Sequence, residues 1–131
     1  MNGNLELALS WFKVDNEDLL AAEHELRYED AVLRTICFHS QQSVEKYLKG
    51  FLIYHNKEYP FTHNIALLIS KIKEYELDIE FSDISADQLT AYAVEARYPD
   101  PEFLISQERA KHTFEIAQEV KNRILRKLNL V

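Results

Sequence analysis

The stretch SQERAKHTFEIAQEVKNRILRKL, residues 106–128, places Ala110, Phe114, Ala117, Val120, Ile124 and Leu128 at steps of three and four. Steps of that size stack side chains on one face of an α-helix, which turns once in about 3.6 residues. The spacing predicts a helix over about Ser106 to Leu128 with one apolar stripe for a core. Outward toward the N-terminus, Arg97-Tyr98-Pro99-Asp100-Pro101 opposes helix, because each proline restricts the residue before it to extended conformations. A fourth helix therefore stops at Tyr98. Its apolar side is Leu89, Tyr92, Ala93 and Ala96, and Ser85 with Gln88 three residues later predicts a capping box at its start.

Three further segments repeat the pattern. The first helix, about Leu5 to Leu26, carries Leu5, Ala8, Leu9, Phe12, Leu19, Ala22 and Leu26 on one stripe with Trp11 beside it, and the stripe lapses near Asp15 and Asn16. The second, about Asp30 to His55, uses Leu33, Cys37, Val44, Tyr47, Leu48, Phe51 and Leu52. Gly50 inside it costs about 1 kcal/mol of helix propensity relative to Ala, a loss best offset by close approach of another helix. Tyr59-Pro60-Phe61 then breaks the pattern. Thr62 is the expected N-cap of a third, shorter helix over about His63 to Tyr75, with Ile65, Leu68, Ile69, Ile72 and Tyr75 facing inward. Residues 76–84 read as a linker. Short connections between amphipathic helices favour antiparallel neighbours, so the expected fold is all-α: an up-and-down helical bundle of four long helices plus a shorter accessory helix, one domain over residues 1–131.

Composition narrows the classes of function. The 131 residues include 15 Lys and Arg against 22 Asp and Glu, a net charge of −7 that disfavours nonspecific attraction to nucleic-acid phosphates. The basic residues of the last helix, Lys111, Lys121, Arg123, Arg126 and Lys127, complement its dipole and lack an interleaved aromatic platform. One cysteine, Cys37, forms no internal disulfide and no Cys-rich zinc site. The N-terminal segment lacks the basic start and apolar run of a signal peptide, and no apolar run approaches membrane-spanning length, so a cytoplasmic protein without membrane contact is expected.

With two glycines, phosphate-cradling loops have little to build on, and no HExxH pair or calcium loop is present. His24, His39, His55, His63 and His112 never pair at helical spacing, so neither a metal site nor a cofactor is expected. Glu17 and Asp18, like Glu23 and Glu25, read as solvated faces. More unusual is Phe38 to Lys49, where Gln41, Gln42 and Glu45 interrupt an apolar stripe: one of the amides tethers a neighbouring helix, or the break marks a surface for a ligand or subunit. Lys46 and Lys49 are either solvated or contacts for an anion. His63, at a helix start, either helps the turn or lines an anion site. Arg97, Tyr98 and Asp100 stand on a proline-stiffened corner, as an ion pair that locks it or as a ligand site.

The order of these features resembles the HEPN family of helical domains, often encoded beside a minimal nucleotidyltransferase. The resemblance rests on Trp11 followed by Asp18-Leu19 and Ala22, on Phe38 to Lys49 as a Gln-Gln-x-x-Glu-Lys-x-x-Lys stretch, on Thr62-His63, and on Ala96-Arg97-Tyr98-Pro99-Asp100. It implies a homodimer and two models of function. The preferred one is a noncatalytic module, in a toxin-antitoxin-like pair, binding a nucleotide or the partner nucleotidyltransferase through Arg97, Tyr98, Asp100, His63, Lys46 and Lys49. RNA ranks below both as a partner. The alternative is a metal-independent endoribonuclease, whose Arg and His have four to six residues between them near the start of the last helix. Here Arg109 and His112 have two residues between them, leaving only a weak catalytic pair. Arg34 and His39 have the right separation but lie inside helix two, about 140° apart around its axis. A dimerising scaffold is the third reading.

Overall fold

A computed structural model of the chain describes residues 2–130, apart from the side-chain environments at positions 2, 3 and 97. Five helices follow one another, α1 (Asn2–Leu26), α2 (Leu33–Tyr54), α3 (Ile65–Glu74), α4 (Ala86–Arg97) and α5 (Gln107–Lys127), and no strand occurs among the described residues. The fold is the expected all-helical bundle, with α3 the shortest helix at 10 residues and α4 next at 12.

α2 is the hub, packing against all four other helices, most extensively α1 and then α5. Phe12 of α1 stacks on Tyr47 with ring centroids 5.2 Å apart, while Asp18, farther along α1, meets Lys46 and His39, so α1 and α2 run antiparallel. Cys37 neighbours Thr113, and His55 senses the charge of Lys127, which makes α2 and α5 run the same way. The α5 stripe is buried from Ala110 through Leu128, as its spacing predicts. Gly50 lies against Phe12: a Cβ there would stand 2.6 Å from Phe12 Cε1, so the glycine leaves room for α1 to approach α2 closely at this point.

The local signals are less uniformly realised. Asn64, not Thr62, caps α3, accepting the Leu67 amide at 3.1 Å, while Thr62 Oγ1 accepts the Asn64 amide one step earlier. The Ser85–Gln88 capping box does not form. Ser85 makes no side-chain cap bond, and the Gln88 amide, in the orientation that matches donor to acceptor, takes Arg109 Nη2 at 2.6 Å instead. Leu9 and Ala96, placed by periodicity on buried stripes, are exposed. The α1 stripe also has no gap at Asp15. That carboxylate occupies the core position between Phe12 and Leu19 and is fully buried.

Candidate functional site

The polar interruption in α2 resolves into a connected face. Gln41, fully buried, donates to Glu45 Oε2 at 2.9 Å and accepts from Gln42 at 2.7 Å, so the amides bond within α2 and tether no other helix directly. Glu45 makes the tether. Its buried carboxylate accepts Lys49 Nζ at 2.8 Å from one turn along α2, and His63 Nδ1 at 2.9 Å from the segment that leads into α3. Burial alone would raise the Glu45 carboxyl, but the bonds from Lys49, His63 and Gln41 together outweigh it and hold the group below its ordinary range. The site is therefore a fixed anion wrapped in donors.

Lys49 is buried rather than solvated, and its ammonium lies 5.7 Å from the centroid of the Tyr59 ring. Tyr59 in turn meets the edge of Trp11 at 5.5 Å and Phe61 at 6.3 Å. Phe61 is wholly exposed at the tip of the proline turn, and the His63 side chain is 44% exposed beside it. Here the residues flanking Pro60 carry a row of aromatic rings from α1 to solvent. The start of α3 is pinned alongside by the Ile65 amide, which donates to Thr90 Oγ1 of α4 at 3.0 Å.

Lys46, one turn from Gln42 and Lys49, is also paired: its ammonium donates to Asp18 at 2.7 Å, and the other Asp18 oxygen meets His39 Nδ1 at 2.8 Å. Asp18 is thus a partly buried link between α1 and α2, not a member of a solvated face. Asp15, one turn earlier, is faced by Lys46 yet hydrogen-bonded to nothing among the described residues. Burial pushes its carboxyl up to about 9, against the opposing pull of Lys46 and with a small addition from Asp18.

The proline corner is organised by residues outside the expected set. Glu95, buried at the end of α4, pairs with Arg34 of α2 and accepts the Asp100 amide at 3.0 Å. Arg34 also donates to the Phe103 carbonyl at 2.8 Å and lies over the Phe103 ring. Asp100 accepts the Glu102 amide at 2.9 Å, and Tyr98 is 75% exposed. The Arg97 side chain falls outside the described residues, so its pairing with Asp100 is not described. The structure thus joins Lys49 and His63 through Glu45, sets Lys46 on the adjoining turn, and holds Tyr98 and Asp100 on a separately braced corner. Glu95, Arg34, Asp18, His39 and Tyr59 were not expected in these roles. Sequence spacing does not connect the main pairs, since Arg34 and Glu95 stand 61 residues apart and Asp18 and His39 stand 21 apart.

Arg34 and His39 turn to different helices, α4 and α1. Arg109 and His112 are both exposed on the first turns of α5. Among the described residues, no group of three or more His, Cys, Asp or Glu side chains is placed to hold a metal ion, and no helix is long and apolar enough to cross a membrane.

A helical bundle whose central helix carries a Gln-Gln-x-x-Glu-Lys-x-x-Lys polar face, tied to a Thr-His turn, defines the class to which the comparisons then assign the chain. The model of the HEPN domain family matches residues 8–128, nearly the whole sequence, and the protein belongs to that family. No curated protein and no solved structure matches it.

Proposed function

We propose that this chain is a noncatalytic HEPN-type module, a single unit over residues 1–131. It binds a nucleotide or a partner minimal nucleotidyltransferase, acts as a homodimer in the cytoplasm, and belongs to a two-component, toxin-antitoxin-like pair. Membership of the HEPN family supports a nucleotide- or RNA-related role. The observation that carries the reading is the convergence of Lys49 and His63 on the buried Glu45 carboxylate beside an exposed aromatic tip. Side chains already held in place lose little conformational freedom on binding, and the Lys49 ammonium, which carries three donors and gives one to Glu45, can turn another to a phosphate. Phe61 and Tyr98 offer exposed rings on which a base can stack.

A thermal-shift titration with ATP, GTP and a short mixed RNA tests the proposal, because a ligand specific for the native state raises its melting temperature. The expected result is a nucleotide-dependent rise that Arg97→Ala and His63→Gln reduce while both variants remain helical. A rise that neither variant alters would overturn the site assignment. The ribonuclease reading is favoured only by the exposure of Arg109 and His112 one helical turn apart, and it predicts metal-independent RNA cleavage that Arg109→Ala abolishes.

A further inference from the structure

The end of the bundle where α1 gives way to α2, and where the proline corner leads into α5, holds large apolar side chains out in water. Tyr28 is 63% exposed, Val32 54% and Leu104 82%. Two grooves join them. One, of about 330 Å3, is lined by Val32, Leu33, Arg34, Phe103, Leu104 and Ile105, and the other, of about 350 Å3, runs from Tyr28 past Leu33 to Gln107 and Lys111. Leu33 borders both, so the exposed residues share one continuous surface.

Local chemistry sets this surface apart from an ordinary loop. Val32 stands at the N-cap of α2, where Ser, Thr, Asp or Asn would satisfy an open amide, and it makes no cap bond. Leu104 belongs to a segment that is held still. Arg34 pairs with the buried Glu95, donates to the Phe103 carbonyl at 2.8 Å and lies over the Phe103 ring, which the Tyr92 ring meets edge to face at 5.9 Å. An internal ion pair thus fixes a loop that presents a leucine to solvent. A loop ordered in advance loses little freedom when it is covered, and residues that depart from the rules of capping and burial together commonly serve an interaction rather than stability.

The charges at the edge select the occupant. Arg27 is paired with Glu23 and Arg34 with Glu95, which leaves Lys111 as the cation on the grooves without an ion pair among the described residues. Against it stand Glu29, Asp30 and Glu102, all exposed and in no ion pair among the described residues. In an isologous contact a second copy of this chain would set the same three carboxylates against them, and a nucleic acid or an anionic membrane would be repelled in the same way. A polypeptide with lysine or arginine beside its apolar residues suits both the surface and its edge.

We propose that the surface around Tyr28, Val32 and Leu104 docks a basic amphipathic segment of a partner polypeptide. Two large apolar residues of that segment enter the grooves on either side of Leu33, while flanking lysines or arginines face Glu29, Asp30 and Glu102. The surface is distinct from the Glu45–His63 face, and the proposal stands whether or not that face binds a nucleotide.

Selection from a random peptide library on the immobilised full chain, followed by affinity measurements on the most enriched peptide, tests the proposal. The expected consensus has two large apolar residues flanked by Lys or Arg. Its affinity falls about tenfold in Leu104→Ser and about as much in the double variant Glu29→Gln with Glu102→Gln, which also flattens its dependence on salt. Leu9→Ser, at an exposed leucine near the other end of α1, leaves the affinity unchanged. Each substituted side chain is exposed, so the helical circular-dichroism signal of all three variants stays native. Failure to enrich any peptide, a consensus without basic residues, or binding that Leu104→Ser leaves intact overturns the proposal. Conversion of a dimer to a monomer by Leu104→Ser also overturns it, by assigning the surface to a second copy.

Discussion

Glu45 and Asp15 are both buried carboxylates at the heart of the bundle, and they meet burial in opposite ways. Glu45 gathers donors from Lys49, His63 and Gln41 and is held ionised. Asp15 gathers none and keeps its proton, with burial raising it to about 9 from an ordinary value of 3.8. A carboxyl raised on folding contributes stability that is fully present below its unfolded pKa and is lost as pH climbs toward the folded one. The native protein should therefore lose stability steadily from about pH 4 toward about 9, by at most about 1.4 kcal/mol per pH unit from this group. Asp15→Asn keeps the shape and removes the titration. We expect it to melt several degrees higher than the native protein at pH 8, with the difference shrinking toward pH 5; urea denaturation across that range checks this, and an equal or lower melting temperature at pH 8 would contradict it. In the sequence Asp15 reads only as a lapse in a stripe, because periodicity counts a polar residue as absent from the core. Glu45, by contrast, was legible as an oddity, since it stood among glutamines on an apolar face, though its partners were not.

Among the elements, α1 and α2 owe their close contact to Gly50, whose missing side chain leaves room for Phe12. Gly50→Ala gains about 1 kcal/mol of helix propensity but sets a methyl against a ring that is buried and stacked on Tyr47, an overpacking that costs about 1–3 kcal/mol. The expected net effect is a loss of about 1 kcal/mol in chemical denaturation, and a gain in stability would show that Phe12 can move aside freely. The five helices themselves were readable from apolar spacing and prolines, and α5 most fully, because a regular stripe of large and small apolar side chains admits one burial pattern. The caps were less so. Thr62 and Asn64 both suit an N-cap, and the choice fell to where the Ile65 amide meets Thr90, a contact no local pattern contains. Gln88 left its capping role for Arg109 for the same reason.

On the scale of the whole molecule, the turn at Tyr59 to His63 lies against α2 and the start of α4, so that Trp11, Tyr59, Phe61, Lys49 and His63 share one side of the bundle. The Arg34–Glu95 pair braces the corner of Tyr98 and Asp100 separately. Sequence order alone hinted at this gathering through the succession of HEPN-like segments, but the wiring between them depends on contacts between distant parts of the chain. The central claim is that this side binds a nucleotide without catalysis. Amide chemical-shift mapping of the isotopically labelled protein with added ATP or GTP tests it most directly. Saturable shifts concentrated at residues 45–49 and 61–64 are expected, with the nucleotide recovered unchanged. Shifts centred instead on Arg109 and His112, turnover of the nucleotide, or no saturable shift with either ligand would contradict it.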